Sequence, residues 1–200
     1  MNFLRTDGRK NNEIRHLEII TDYTIYAGGS VLVSTGNTKI ICTATVEKKI
    51  PDWLLQKNKA IHGWVTSEYR MLPSATLNRR KREYNNLDGR TQEIQRFIGR
   101  SLRAVVDLSL LLEHTIWIDC DVIQADGGTR TAAISGGFVS LYMAIDKLKK
   151  NYNIQKPIIK NYIGAVSAGI INNKPVLDLD YQEDSQAQAD ANFVICDTGE

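Results

Sequence analysis

The spacing of apolar and polar residues predicts a chain with strands at both ends and two helices between them. Alternating side chains predict strands over residues 17–26, 31–34, 39–46, 64–69, 115–123, 162–171, 174–181 and 192–196. Apolar residues at helical spacing predict helices over residues 90–112 and 132–150. The polar segments 47–63 and 72–87 are predicted loops. This order of elements favours a single α+β domain over residues 1–200.

The first predicted helix carries two different faces. Its apolar stripe consists of Ile94, Phe97, Ile98, Leu102 and Val105. A second stripe consists of Arg96, Arg100 and Arg103, spaced so that they share one side of a helix. Such a row is often only a solvated surface, but here it directly follows a basic loop. That position favours a role facing phosphate groups.

The turn between residues 124 and 131, Gln-Ala-Asp-Gly-Gly-Thr-Arg-Thr, lies between a predicted strand and the second predicted helix. Free backbone N–H groups and the positive end of the helix dipole meet at such a turn and stabilise an anion. Arg130 adds a planar guanidinium that can bind two phosphate oxygens at once. The sequence contains neither a Walker loop nor a dinucleotide-binding glycine motif. A phosphate-binding turn and a turn that merely requires glycine both remain open on this pattern alone.

Charge is unevenly distributed along a chain whose net charge is only +2. Residues 70–103 contain nine basic and three acidic side chains, whereas residues 178–200 contain seven acidic side chains and no lysine or arginine. A basic middle section favours a polyanionic partner. The acidic end favours a metal or acid–base centre. Together they are typical of a protein that binds and cleaves nucleic acid.

Asp178 and Asp184 are the candidate chemical groups of the acidic end. The alternation of residues 176–181 predicts that Asp178 and Asp180 share one face of a strand, with Asp184 following a bend. Two carboxylates at a strand end can share Mg²⁺ or Mn²⁺, or one of them can act as a general acid. Aspartates in such positions more often form turns or solubilise the chain. The catalytic interpretation therefore depends on the phosphate turn and the basic helix.

The cysteines and the hydropathy profile exclude other classes. Cys42, Cys120 and Cys196 are far apart and form no C-x-x-C pair, which favours buried thiols in a reducing compartment over disulfides or zinc sites. The apolar runs are too short to span a bilayer, and the N-terminal residues do not resemble a signal peptide. A cytoplasmic protein is therefore expected.

Several colinear motifs resemble those of ribonuclease PH, the phosphate-dependent 3′-exoribonuclease, in its bacterial form. The matching segments are residues 5–9 (Arg-x-Asp-Gly-Arg), 29–33, 36–39, 63–66 (Gly-Trp-Val-Thr), 71–73 (Met-Leu-Pro), 89–100, 118–131 and 178–185. Because they extend over nearly the whole chain, the resemblance is specific.

The resemblance implies a fold like domain 2 of ribosomal protein S5, assembled as a homohexameric trimer of dimers. It implies that Arg90, Gly128, Thr129 and Arg130 bind inorganic phosphate, the co-substrate. It also implies that Asp178 and Asp184 bind Mg²⁺ or Mn²⁺ or act in acid–base catalysis. The implied RNA-binding residues are Arg70, Arg79, Arg80, Arg82, Arg96 and Arg100.

The implied activity is that of a nucleotidyltransferase. Phosphate attacks the last 3′ phosphodiester of tRNA precursors and other structured RNA ends, with roles in tRNA and rRNA processing, and nucleoside diphosphates are released. The alternative is a non-catalytic RNA-binding subunit of an exosome-like ring. Relatives of that kind tend to lack the phosphate-binding arginines or the acidic pair, and both are present here, which favours the enzyme.

Two departures from the family pattern affect these expectations. Ser74 stands where family members usually have arginine, directly after Met-Leu-Pro. The family pattern also continues beyond the length of this sequence with one more strand and a C-terminal helix. We therefore expect a ribonuclease PH domain that is short at its C-terminal end.

Overall fold

The computed structural model describes residues 5–55, 62–83 and 87–199. Parts of the two predicted loops, residues 56–61 and 84–86, lie outside the described residues, as do residues 1–4 and residue 200.

The described residues form eight strands and four α-helices. The strands are β1 (Leu17–Thr21), β2 (Gly29–Thr35), β3 (Thr38–Glu47), β4 (Trp64–Met71), β5 (Thr115–Gln124), β6 (Ile163–Ile171), β7 (Lys174–Leu177) and β8 (Ala189–Cys196). The helices are α1 (Asp52–Leu55), α2 (Gly89–Ala104), α3 (Thr129–Tyr152) and α4 (Tyr181–Gln186), and a 3₁₀ turn covers Leu108–Leu111. The expected mixed α+β architecture is confirmed. The short helices α1 and α4 were missed, since four to six residues are too few to show a helical period.

Five strands form the larger sheet, in the order β1-β2-β3-β5-β4. All neighbours are antiparallel except β4 and β5, which run parallel. The C-terminal ends of β4 and β5 therefore meet at one edge, where Met71 pairs with Val122 and where β3 begins. Segments that follow β4 and β5 are thereby brought to one place.

Helix α3 lies between the larger sheet and a second sheet of order β7-β6-β8. Gly136 faces Val33 and Cys42 of the larger sheet so closely that a Cβ there would lie within 3.0 Å of both side chains. On the other side, the Ser135 hydroxyl accepts a hydrogen bond from the Ala165 backbone N–H of β6, at 3.1 Å. A helix enclosed on two sides has apolar residues around most of its circumference. This explains why so much of α3 is buried.

Helix α2 ends eight residues earlier than the sequence pattern predicts. The side chain of Asp88 caps its N-terminus by accepting a hydrogen bond from the Thr91 N–H, at 2.6 Å. At the other end, the Val105 carbonyl accepts from Lys160 N and the Asp107 N–H donates to Ile158 O, each at 2.8 Å. These bonds to a distant segment replace the helical ones, so the chain leaves the helix although residues 108–111 remain apolar.

The prediction of a strand over residues 174–181 was wrong in its second half. Strand β7 ends at Leu177, and Asp178 adopts a left-handed conformation with φ 53°. Asp180 then begins α4 as its N-cap, in a reciprocal capping box with Glu183. Asp178 and Asp180 therefore do not share a strand face, because a left-handed residue reverses the direction of the chain.

The remaining sequence expectations about burial are partly met. Cys42 and Cys120 are free and buried in the core, whereas Cys196 is half-buried. Among the described residues, the helices are too short or too polar to cross a bilayer.

Candidate active site

The turn between β5 and α3 requires its two glycines. Gly127 and Gly128 both have positive φ, 75° and 66°, which disfavours residues with a Cβ. A Cβ on Gly127 would lie 2.4 Å from the Leu179 carbonyl oxygen, and one on Gly128 would lie 2.9 Å from the Arg15 guanidinium. Both the backbone conformation and the close packing therefore explain the Gly-Gly pair.

Hydrogen bonds to buried groups hold this turn in place. Thr38 of β3 donates its hydroxyl to the Gly127 carbonyl at 2.7 Å and accepts from the Asp126 N–H at 2.9 Å. Tyr69, fully buried in β4, donates its hydroxyl to Thr129 Oγ1 at 2.9 Å. The N-terminus of the 24-residue helix α3 is thus fixed relative to three strands, with its dipole stabilising negative charge there.

A cavity of about 860 Å³ opens at this turn. Of the residues predicted to act in phosphate binding or catalysis, Arg90, Gly128, Thr129, Arg130 and Asp184 line it. Other lining residues are Asn37, Met71, Thr76, Leu77, Asn78, Arg80, Gln124, Ser167, Asp190 and Asn192. The cavity is lined by residues of α2, α3, α4, β8 and the loop after β4. The predicted phosphate residues and one predicted catalytic carboxylate are therefore neighbours in space.

The two predicted phosphate-binding arginines enter the cavity from different helices. Arg90 lies in the first turn of α2 and Arg130 in the first turn of α3. The Arg130 guanidinium donates two hydrogen bonds to Glu93 Oε2, at 3.0 and 3.3 Å. The Glu93 carboxylate is about half exposed, so this ion pair is weak. A phosphate dianion can therefore take the place of Glu93 on Arg130, and water then solvates the released carboxylate.

Asp184 lies on α4, at the wall of the cavity. Partial burial raises the pKa of the Asp184 carboxyl, and the negative charge of Asp190 raises it further against the opposing charges of Arg130 and Arg90. A carboxyl group with a raised pKa keeps its proton to a higher pH than an ordinary aspartate, as a general acid requires. Asp190, which the sequence analysis did not assign, shapes that environment.

Asp178, the other predicted catalytic carboxylate, is buried and bonded to two arginines. Its Oδ1 accepts from Arg15 Nη2 at 2.6 Å, and its Oδ2 accepts from the Arg15 backbone N–H, Arg15 Nε and Arg9 Nη1 at 2.7, 2.9 and 3.3 Å. Burial alone would raise the pKa of Asp178, but the hydrogen bonds and charges of Arg15 and Arg9 outweigh it, and its pKa is lowered. Asp178 is thus an anion whose lone pairs are already used by the protein.

These surroundings bear on the predicted Mg²⁺ or Mn²⁺. A divalent cation prefers several free oxygen ligands and retained waters, whereas both oxygens of Asp178 accept hydrogen bonds from guanidinium groups. Within residues 5–55, 62–83 and 87–199, no three His, Cys, Asp or Glu side chains gather as a metal site. The residues present therefore do not fit a cation held jointly by Asp178 and Asp184, and we derive no chemical step from one.

The N-terminal segment carries site residues to which the sequence analysis gave no role. Arg5 forms a buried bidentate ion pair with Glu183 of α4, each contact 2.7 Å long. Arg15 joins Asp178 to the carbonyls of Asp126 and Gly127. The Arg-x-Asp-Gly-Arg motif at residues 5–9 was the available signal, but its partners are more than 160 residues away in sequence and cannot be read from it.

The predicted RNA-binding arginines have different surroundings. Arg80 lines the cavity and contacts Asp88 at 3.2 Å, while Arg70 donates to Gln95 Oε1 at 2.6 Å. Arg96 and Arg100 line a separate shallow depression on α2. Arg79 and Arg82 belong to the segment between β4 and α2.

Many solved structures share this fold, and three of them are similar over 98% of this chain. Rice (Oryza sativa) Rrp46 is 17% identical, with a TM-score of 0.78 over 98% of this chain and 83% of that chain. An Archaeoglobus fulgidus exosome with RNA bound to the active site is 20% identical, with a TM-score of 0.76 over 98% of this chain and 78% of that chain. An archaeal exosome core is 20% identical, with a TM-score of 0.72 over 98% and 76%.

Two family profiles match the sequence itself. The profile of the 3′ exoribonuclease family, domain 1, matches residues 13–145. The profile of the same family, domain 2, matches residues 161–200. The first match covers the larger sheet, α2 and most of α3, and the second covers the smaller sheet and α4. The chain therefore belongs to the 3′ exoribonuclease family.

Proposed function

We propose that this chain is an RNA-binding subunit of an exosome-like ring and that its cavity holds the 3′ end of the RNA. The main support is that one cavity is lined by Arg90, Arg130, the turn at Gly127–Thr129 and Asp184. Two of the similar solved structures are exosome structures, one of them with RNA bound to the active site. These similarities support the exosome-like alternative better than a bacterial ribonuclease PH that trims tRNA precursors.

A specific observation favours catalysis within that cavity rather than binding alone. Arg90, Arg130 and Asp184 all line this cavity, and the pKa of the Asp184 carboxyl is raised, whereas RNA binding alone requires no proton donor. We infer that inorganic phosphate binds at the N-terminus of α3, with Arg90 and Arg130 compensating its charge. These positive groups also stabilise the additional negative charge that develops in the transition state.

The chemical step is phosphorolysis. An oxygen of inorganic phosphate attacks the phosphorus of the last phosphodiester, and the bond from that phosphorus to the 3′ oxygen of the preceding nucleotide breaks. The terminal nucleotide leaves as a nucleoside diphosphate. Asp184 supplies the proton that the departing 3′ oxygen requires, consistent with the raised pKa of its carboxyl. Asp178 positions the turn through Arg15 and does not contact the reacting atoms.

Finer features of the initial expectation remain proposals. They are tRNA and rRNA precursors as substrates, a homohexameric trimer of dimers and a cytoplasmic location. Ser74, in the loop after β4, stands where the resemblance implies an arginine, and a neutral side chain there offers one positive charge fewer to RNA phosphates. Single-stranded RNA is therefore the better first substrate.

The test compares a single-stranded RNA oligonucleotide with a 3′-extended tRNA, each with and without phosphate. Shortening that requires phosphate and releases nucleoside diphosphates supports the enzyme, and preference for the tRNA restores the processing interpretation. Binding of RNA without shortening would indicate a non-catalytic subunit. Release of monophosphates in the absence of phosphate contradicts phosphorolysis. Light scattering on the same preparations measures the oligomeric state.

Arg130→Ala and Arg130→Lys examine the phosphate site directly. A charged bidentate contact contributes about 1.5–3 kcal/mol, so the alanine variant should use phosphate roughly tenfold less well or worse. Lysine restores the charge without the planar fork. Equal phosphate dependence in the wild type and the alanine variant would remove Arg130 from the site.

A further inference from the structure

An aromatic side chain is exposed in the wall of the candidate active site. Tyr181, the first residue of α4, lines the cavity and is 61% exposed. A ring left in water stabilises the fold little, because hydrophobic stabilisation follows the apolar area that is buried. The cavity volume of about 860 Å³ is in the range of sites that enclose a ligand of nucleotide size. The Tyr181 ring is therefore accessible to a ligand in this cavity.

Several contacts fix the backbone that carries Tyr181. The preceding residue, Asp180, is the N-cap of α4 and forms a reciprocal capping box with Glu183. Glu183 is in turn held by its buried bidentate ion pair with Arg5. The Tyr181 backbone N–H also donates to Asp126 Oδ1, in the turn before α3, at 3.4 Å. A ligand that packs on the ring therefore does not first have to order the chain that presents it, which lowers the cost of binding.

Tyr181 lies beside the proposed proton donor. Asp184 follows three residues later in α4, and residues three apart are neighbours on a helix surface, with Cβ atoms roughly 5–6 Å apart. Both side chains line the same cavity. The nucleotide joined to the phosphodiester that Asp184 serves is therefore within reach of the Tyr181 ring.

A second exposed apolar side chain lines the cavity from another part of the chain. Leu77, in the loop after β4, is 99% exposed. The Ala125 N–H donates to the Ala75 carbonyl at 2.8 Å, on one side of Leu77. On the other side, the Arg80 N–H donates to the Pro73 carbonyl, also at 2.8 Å. The loop is thus anchored to the end of β5 and closed on itself, and it holds an apolar side chain in solvent at the cavity.

We propose that the Tyr181 ring stacks on the base of the 3′-terminal nucleotide of the RNA and that Leu77 adds an apolar contact to that nucleotide. The inference rests on the proposed function, in which this cavity holds the 3′ end. Stacking on an aromatic ring tolerates every base, because each base has a π-face. Tyr181 therefore holds the nucleotide that leaves, without reading its identity, while Arg90 and Arg130 bind phosphate.

Equilibrium binding without phosphate tests this contact apart from turnover. The probe is a short oligouridylate that ends in adenosine, compared with the same oligonucleotide lacking only the terminal base. Removing the base should weaken binding to the wild type roughly tenfold, the scale of one stacked base. The ratio should fall to about twofold in Tyr181→Leu, which loses the ring. Tyr181→Phe keeps the ring and should keep the full ratio.

Tyr26→Leu is the matched control. Tyr26 is 96% exposed between β1 and β2 and is not among the residues described as lining the cavity, so this variant should keep the wild-type ratio. A ratio near one in the wild type, or an equal ratio in the wild type and Tyr181→Leu, overturns the inference and leaves the proposed function standing. A wild type that binds neither oligonucleotide overturns both.

A second measurement depends on no variant. An oligouridylate with 2-aminopurine as its 3′-terminal base is excited at wavelengths that the tryptophans do not absorb. Its fluorescence should be quenched on binding to the wild type, because stacking on a ring quenches 2-aminopurine. Binding with undiminished fluorescence overturns the inference. Quenching that occurs only when 2-aminopurine is the penultimate base overturns the assignment to the terminal nucleotide.

Discussion

At the scale of single residues, two aspartates six positions apart lie in opposite electrostatic surroundings. Asp178 is enclosed by Arg15 and Arg9, which lower its pKa against the effect of burial. Asp184 faces the cavity beside Asp190, and its pKa is raised. Residues whose pKa values are displaced in opposite directions usually have different tasks. We therefore assign Asp178 to positioning and Asp184 to proton transfer.

Replacing Asp178 with asparagine should reduce the stability of the fold. The variant leaves the buried Arg15 guanidinium without its anion, a change that costs about 3 kcal/mol. Because the pKa of Asp178 is lowered on folding, its stabilisation is fully present above the unfolded-state pKa of about 3.9. It is lost as the pH falls through the lower folded-state value. Urea unfolding of both proteins from pH 3 to pH 7 should show a difference that is constant near neutrality and shrinks in acid.

Asp180→Asn is the matched control for this measurement. Asp180 is the N-cap of α4, and asparagine caps helices about as well as aspartate. The control should therefore unfold close to the wild type at neutral pH. An Asp178→Asn protein as stable as the control would mean that the arginine contacts contribute nothing.

Replacing Asp184 with asparagine should affect turnover instead of stability. Its carboxyl is solvent-accessible, and its ionised form is disfavoured by its surroundings, so loss of the charge costs the fold little. Loss of a general acid typically lowers the rate by about 10² or more. Phosphorolysis rates, RNA affinity and unfolding should be measured together. Unchanged turnover would place the proton donor elsewhere, and a failure to bind RNA would indicate a structural role.

At the scale of elements, the N-terminus of α3 functions only if the preceding turn keeps its left-handed glycines. Gly127→Ala should cost about 1–2 kcal/mol for the backbone conformation, and more because its Cβ would lie 2.4 Å from the Leu179 carbonyl oxygen. Phosphate affinity should fall with stability, since the N–H groups are displaced. Gly164→Ala in β6, where a Cβ meets no atom within 4 Å, should leave both measurements unchanged. Equal effects in the two variants would contradict the requirement for this turn.

Helix α2 presents three arginines that the structure divides into two groups. Arg103 lies over Trp64 and donates to the Val65 carbonyl at 2.7 Å. Arg96 and Arg100 line the shallow depression on the helix surface.

Substitutions in these two groups of arginines should therefore have different effects. Alanine at both Arg96 and Arg100 should reduce the salt dependence of single-stranded RNA binding, by about 0.7 in slope for each phosphate that the protein no longer neutralises. Arg103→Ala should leave that slope unchanged and lower the unfolding temperature. Salt titrations and thermal melts on the same preparations distinguish the outcomes. An unaltered slope in the double variant would make this face a solvated surface.

At the scale of the whole molecule, the N-terminal segment connects α4 and the end of β7 with the turn that precedes α3. Arg5 bonds to Glu183 on α4 and to the backbone carbonyls of Leu177 and Asp178. Arg15 continues from Asp178 to the carbonyl of Asp126. Through these contacts, α4 and its Asp184 are held beside the N-terminus of α3.

Removing the contacts of Arg5 should both destabilise the protein and impair catalysis. Arg5→Ala removes the bidentate partner of buried Glu183, leaving only the Arg9 guanidinium at 3.8 Å, and should cost about 3 kcal/mol. Lys10→Ala removes an exposed ion pair with Glu13 and should cost less than about 1 kcal/mol. Denaturant unfolding and turnover of both variants test the contrast. Comparable losses in the two variants would show that burial gives the Arg5 contact no special importance.

The sequence by itself determined the class of fold, the glycine turn between β5 and α3, and the acidic end of the chain. Each is a local pattern: strand alternation and helical spacing depend on residues a few positions apart, and Gly127-Gly128 at a strand-to-helix junction is a local requirement of backbone geometry. The boundaries that were wrong lie where distant bonds override local preference, as at Val105 and Leu177.

Only the tertiary structure decided which charged groups meet. The sequence presented Asp178 and Asp184 as equivalent candidates, and nothing near them in sequence distinguishes the two. Arg15 lies 163 positions from Asp178, and Arg130 lies 37 positions from Glu93, so their pairing depends on how the two sheets close around α3. The same holds for Trp64 and Trp117, which come together because parallel β4 and β5 begin side by side. The electrostatic environment of a residue depends on its neighbours in space, and only the fold brings these residues together.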